Sequence, residues 1–226
     1  MKKKYSILLF AAILIADLVA VHQQYKMAEY FFKPLIIIWL LAYFILQLRT
    51  VQSSLKKWII AALFFSWIGD VLLLLKDDNS LFFLLGLSSF LVAHIFYILF
   101  FHFIKGKENV KSRWYFVLIV GLYYVIIKNL LSPYLGDMKL PVSIYAVFIS
   151  FMFMLSLHVL LIKNKIAGWL MMTGALLFII SDSLLAINKF YHPFEMAGVF
   201  VMISYGSAQL FIAEGAIRYI SSGYKE

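Results

Sequence analysis

Two aspartates interrupt long apolar runs: Asp70, in Gly69-Asp70-Val71-Leu72-Leu73, and Asp182, in Ser181-Asp182-Ser183-Leu184-Leu185. An ionisable side chain near the centre of a bilayer costs about 2.5–3.5 kcal/mol on insertion scales, so such a group is expected to have a function or a partner. Two carboxylates facing each other in a low-dielectric bundle cannot both ionise easily, and the pair is expected to hold one proton between them. An acid and a base would then come from one residue type. Asp17 and Glu214 also fall in apolar runs. Asp17 has no equivalent elsewhere in the chain, and Glu214 stands four residues before Arg218, a spacing that pairs opposite charges on a helix. Both are read as structural.

Other polar groups fall at helical spacing around the two aspartates. His94 and Tyr97 are three residues apart and Tyr205 and Gln209 four apart, so each pair shares one face of its helix. The simpler reading of each pair is an interhelical hydrogen bond, which polar side chains commonly make in membranes. Lys33, next to Pro34, reads as an interfacial anchor within reach of a lipid phosphate. His102 and His158 read as interfacial on the inner side. With no cysteine, and no HxxxH or HExxH pair among the five histidines, no metal site is expected. The aromatic residues read as packing or lipid-facing groups and mark no cofactor.

The elements that must position these residues are transmembrane helices. Hydrophobic residues make up 64% of the chain and charged residues 14%, against roughly 25% charged in a soluble domain, which excludes a soluble fold. Apolar runs long enough to cross roughly 30 Å of hydrocarbon fall at about 5–22, 31–49, 57–75, 82–103, 113–131, 141–162, 166–188 and 196–219. Unpaired backbone cannot face lipid, so the expected fold is all-α: a polytopic bundle of eight transmembrane helices forming one domain over residues 1–226. The net charge of +9 sits in short loops rather than on one face, so no nucleic-acid partner is expected and the surroundings are membrane lipids. With the N-terminus inside, only Lys26, Lys33, Lys76, Lys128, Lys139 and Lys189 of the 20 lysines and arginines fall outside, while Asp77, Asp78, Asp137 and Glu195 lie in the outer loops. Both termini are therefore expected in the cytoplasm. A signal peptide is the competing reading of the first run, which Asp17 opposes.

The chain also carries a repeat. Gly69 to Leu73 recurs as Ser181 to Leu185, 112 residues later, and the same offset takes Gly86 to Gly198. This predicts two parallel four-helix halves related by an axis along the membrane normal.

Taken together, Lys33-Pro34-Leu35, Gly69-Asp70-Val71-Leu72-Leu73, LGLSSFLVAHIFY at 85–97, Pro141 with Tyr145, GALLFIISDSLLA at 174–186 and the stretch from Tyr205 to Gln209 identify a resemblance. From about Lys33 to Ile212 the chain resembles the lysoplasmalogenase family of eight-helix membrane proteins (YhhN-like, related to animal transmembrane protein 86). The resemblance implies a hydrolase of a bacterial inner membrane that cleaves the vinyl ether bond of a lysophospholipid substrate, releasing a fatty aldehyde and a glycerophospho-ethanolamine or -choline. It implies Asp70 and Asp182 as the catalytic pair, with no cofactor. Substrate binding is expected at Lys33, His94, Tyr97 and Tyr145, and at Ser181, Tyr205 and Gln209. Gly206 departs from the family, which would carry a second aromatic there. Vinyl ethers hydrolyse when an acid protonates the carbon beta to oxygen and water captures the resulting cation, chemistry that a carboxylic acid and a carboxylate together supply. The expected geometry is that of an inverting glycosidase, with water held between the two groups. Two other readings stay open: a proton-coupled transporter using the same aspartates as a relay, and a membrane scaffold or sensor.

Overall fold

A backbone in hydrocarbon has to satisfy its own hydrogen bonds, so each apolar run winds into a helix. The structure, a computed structural model, describes residues 3–75 and 80–223. Its helices are α1 (Lys3–His22), α2 (Lys26–Gln47), α3 (Lys56–Leu74), α4 (Ser80–Lys107), α5 (Tyr115–Leu131), α6 (Lys139–Val159), α7 (Lys165–Ala186) and α8 (Ala197–Ser222). All eight are long and apolar enough to cross a membrane, which gives the expected all-α membrane bundle. Lys2, Lys76, Asp77, Asp78 and Lys225, on which part of the charge asymmetry rests, lie outside the described residues.

The helices do not stop where the apolar runs stop. α2 begins at Lys26 rather than near 31, and α4 runs on to Lys107 rather than ending near 103. Helical hydrogen bonding continues past the apolar stretch into segments that carry charged residues, where hydropathy no longer reports it. α6 ends at Val159, short of 162, because the chain turns there into α7: a Cβ on Gly168 would lie 2.6 Å from the Val159 carbonyl oxygen. α7 passes into a single π-helical turn, Ile187–Tyr191, which widens the helix and often marks a functional site.

α7 and α8 form the most intimate pair, packed through small residues. A Cβ on Gly174 would lie 2.8 Å from both the Ala208 carbonyl oxygen and the Ile212 nitrogen. One on Gly215 would lie 2.9 Å from the Ala167 carbonyl oxygen. Lipid tails are as apolar as leucine, so close backbone approach of this kind supplies much of the association energy. α3 packs on α4, α4 on α6, and α8 on α1 and α2. α5 lies at the periphery against α6.

At the end of the bundle that carries the termini, Glu214 ties three helices together. It is paired with Lys3 at 2.5 Å and with Arg218 at 3.8 Å, and it accepts a hydrogen bond from Tyr43. The pairing with Arg218 is the one its spacing predicts. His158 corrects an expectation: it is buried rather than interfacial, accepting from the Arg113 backbone N–H at 3.0 Å and contacting the Met154 carbonyl oxygen at 2.9 Å. This ring takes up a backbone group in the turn before α5.

Gly174→Ala and Gly215→Ala are expected to lose about 1–3 kcal/mol through overpacking against backbone. Gly121→Ala on α5, where a Cβ meets nothing within 4 Å, should be neutral or stabilising. Thermal unfolding of the three purified variants in one detergent checks the contrast. For orientation, a reporter fused after Glu226 should be cytoplasmic and one inserted between Asp77 and Asp78 external. An external C-terminal reporter would reverse the assignment.

Candidate active site

Topology puts the two aspartates at one depth. Odd-numbered helices end, and even-numbered helices begin, at the side of the bundle opposite both termini. Asp70 lies one turn before the end of α3, and Asp182 one turn before Ala186 at the end of α7. With a rise of 1.5 Å per residue, each is about 6 Å inside its helix end. Both line one cavity of about 140 Å³, walled by α1, α2, α3, α4, α6, α7 and α8.

Each carboxyl is met by a tyrosine from another helix. Tyr205, on α8, donates to Asp70 Oδ2 at 2.7 Å. Tyr145, on α6, donates to Asp182 Oδ2. His94 Nε2 lies 2.8 Å from the Tyr145 oxygen and 3.4 Å from Asp182 Oδ2. The order that satisfies these atoms is His94 Nε2–H to Tyr145, and Tyr145 O–H to Asp182. That leaves His94 Nδ1 buried without a partner among the described residues. Asp70 is buried, whereas the Asp182 side chain keeps 16% of its surface exposed.

The floor is aromatic, formed by Phe90 and Tyr205 with Phe178 packed behind them. Phe90, Phe178 and Tyr205 meet edge to face, with ring centroids 5.5–6.4 Å apart, and His94 stands against Phe178 at 4.8 Å. Below them Tyr97 donates to Gln209 Oε1 at 2.5 Å, and Gln209 Nε2 donates to Ser66 Oγ at 3.0 Å. These bonds join α4, α8 and α3 directly under the site.

Of the sequence-predicted residues, Lys33, Tyr145, Ser181 and Tyr205 line the cavity with the two aspartates. His94 stands behind Tyr145. Tyr97 and Gln209 do not line it and belong to the layer beneath. The Ser181 hydroxyl is bonded to the Val201 carbonyl oxygen at 3.0 Å, so it fastens α7 to α8. Lys33 is not an interfacial anchor: it is buried, faces the cavity and pairs with Glu29 at 3.7 Å. Gly206 lies away from the cavity, against Leu14 of α1, so the missing aromatic does not alter the lining.

Three residues escaped the sequence reading. Glu29 lines the cavity four residues before Lys33, and that spacing was its only signal. Ser66 stands one turn before Asp70. Tyr123 reaches from the peripheral α5 to Ser183 Oγ at 2.8 Å, a contact that neither sequence position announces.

Comparison with known proteins places this geometry. Bovine lysoplasmalogenase TMEM86A is 30% identical over 190 residues, which cover 82% of this chain and 75% of that protein. Human lysoplasmalogenases TMEM86A and TMEM86B are each 32% identical, over 71% and 70% of this chain and 65% and 62% of their own lengths. No solved structure matches the chain significantly. The YhhN family model matches residues 28–216, a stretch that contains both aspartates, both tyrosines and Lys33, and the chain belongs to the YhhN family.

Proposed function

We propose that this chain is a membrane hydrolase that cleaves the vinyl ether bond of lysoplasmalogen-type lipids, with Asp70 and Asp182 as its acid–base pair. One observation carries the reading: two carboxyls from helices far apart in sequence line one cavity within the membrane-spanning bundle, each bonded to a tyrosine. Relatives named lysoplasmalogenases supply the bond to be cleaved. In this reading Asp70, the more buried of the two, delivers its proton to the carbon beta to the ether oxygen, and the alpha carbon becomes an oxocarbenium ion. Asp182, the more open to the cavity, takes a proton from the water that attacks the alpha carbon. The product is a hemiacetal. Asp182 then protonates the departing glycerol oxygen while Asp70 recovers a proton from the hemiacetal hydroxyl, releasing a fatty aldehyde and a glycerophospho-ethanolamine or -choline. One water is consumed and both carboxyls return to their starting state.

The tyrosines fix which carboxylate oxygen faces the substrate, since each hydroxyl occupies one oxygen. A transporter using the same aspartates would favour helices broken near the midplane. Here α3 and α7 run unbroken past Asp70 and Asp182, and the aromatic floor closes the path beneath them.

Positioned acid–base groups contribute roughly 10²–10⁴-fold, so Asp70→Asn and Asp182→Asn should each lower turnover by at least about 10²-fold. Asparagine can still accept the tyrosine hydrogen bond, so both variants should stay folded, and Asp17→Asn should be milder. Near-native hydrolysis by either purified variant would sink the two-carboxylate mechanism.

Turnover in deuterium oxide provides an independent check. Protonation at the beta carbon must leave deuterium on the carbon next to the aldehyde, seen by mass spectrometry after immediate reduction. Unlabelled aldehyde from a vinyl ether substrate would reject carbon protonation by an exchangeable acid.

A further inference from the structure

Toward the bundle centre the cavity described above ends at Phe90 and Tyr205, with Phe178 packed edge to face behind both. A molecule with a long hydrocarbon chain must therefore lead that chain sideways. On the outward surface, between the first halves of α4 and α6, runs an apolar groove of about 290 Å³. Leu84 and Leu91 line it from α4, Leu140 and Ile144 from α6, and Leu87 and Tyr145 are shared with the reactive cavity. The equivalent groove on the other side of the bundle, between α8 and α2, is covered. There α1 packs on both helices, with Leu14 against Gly206 and Val21 against Gly198. α5 does not do the same for α4, since it packs on α6. Both helices are long and apolar enough to cross a membrane, so an apolar groove on their outward faces is open to lipid chains.

We infer that the α4–α6 groove is the subsite for the single hydrocarbon chain of the substrate, which reaches the carboxyl pair laterally from the bilayer past Tyr145. The inference rests on the hydrolase reading for the identity of that substrate. The opposite end of the cavity suits the other half of an amphiphile: it adjoins a second, more polar hollow lined by His22, Gln24, Asn188 and Glu195, with which it shares Val21, Asn188 and Gly198. A lipid lying with its head in that mouth and its chain in the groove passes its ether linkage between Asp70 and Asp182. A chain moving from bilayer to groove exchanges one apolar environment for another and gains little hydrophobic free energy. The groove therefore acts by placing the reacting bond rather than by tightening binding, and small misplacements at a reacting centre are costly.

The test compares hexadecenyl and butenyl lysoplasmalogen-type substrates on protein in nanodiscs. Ile144→Trp, which fills the groove, should lower the long-chain to short-chain ratio of kcat/KM by about tenfold. Leu122→Trp, on the outward face of α5, should leave the ratio as it is. A second arm needs no turnover: a saturated-ether lysolipid carrying a diazirine along its chain should label residues 84–91 and 140–145. Excess unlabelled saturated-ether lysolipid should suppress that labelling but not labelling on the α5 face. An unchanged ratio in folded Ile144→Trp protein, an equal loss on both chain lengths, or groove labelling that resists competition would each overturn the inference. If the wild-type protein releases aldehyde from neither substrate, the hydrolase reading fails and the labelling alone decides whether a lipid chain occupies the groove.

Discussion

A carboxyl group at membrane depth must find a hydrogen-bond donor on another helix, and most of this structure can be understood from how that demand is met. Asp70 on α3 draws Tyr205 from α8, Asp182 on α7 draws Tyr145 from α6, and Glu214 on α8 draws Tyr43 from α2 and Lys3 from α1. Tyrosine suits the task because its ring is at home in hydrocarbon while its hydroxyl donates. An unmet buried acceptor costs about 1–3 kcal/mol, so each bond helps to fix the helix that carries the tyrosine as well as the carboxyl it serves. Fold and site share these bonds. Asp17 is the exception: it is fully buried in α1 and neither oxygen has a hydrogen-bond partner among the described residues.

The same economy explains how much the sequence discloses. Eight apolar runs are legible because a bilayer imposes one length and one composition on whatever spans it, and the two aspartates are legible because acids in such runs are rare. Helix ends are less so, since α2 and α4 extend by a turn or more into polar residues where hydropathy carries no signal. Partners are the least legible. The bonds of Tyr205 to Asp70 and of Tyr123 to Ser183 join residues 135 and 60 positions apart, and nothing local to either end encodes them. Lys33 is only half legible for a related reason: the resemblance puts it at the substrate, but a lysine beside a proline at a helix start looks interfacial until the fold brings a cavity to it. His158 was misread because the backbone N–H it serves belongs to a different helix's entry turn.

Packing sets what may move. α7 and α8 meet through Gly174 and Gly215 at backbone distance, and the layer of Tyr97, Gln209 and Ser66 ties α4, α8 and α3 together below the floor. A carboxyl pair carried on α3 and α7 thus rests on a rigid base. The peripheral α5 has many outward apolar residues and packs mainly on α6, which in turn packs on α4 and α7.

The offset of 112 that takes Asp70 to Asp182 also relates other residues at and beneath the cavity. Lys33 and Tyr145 stand at the same offset of 112, and so do Tyr97 and Gln209, which bond to each other. Residues at equivalent positions of two parallel copies touch only if the axis relating the copies passes between them. Helix neighbours repeat as well, with α3 on α4 answered by α7 on α8, and α4 on α6 answered by α8 on α2. If the halves are copies of one unit, they have kept the acid and exchanged its company. Lysine faces the cavity at the position in one half where tyrosine holds the acid in the other. On the mechanism proposed above, unlike neighbours at equivalent positions would set which of the two gives a proton and which takes one.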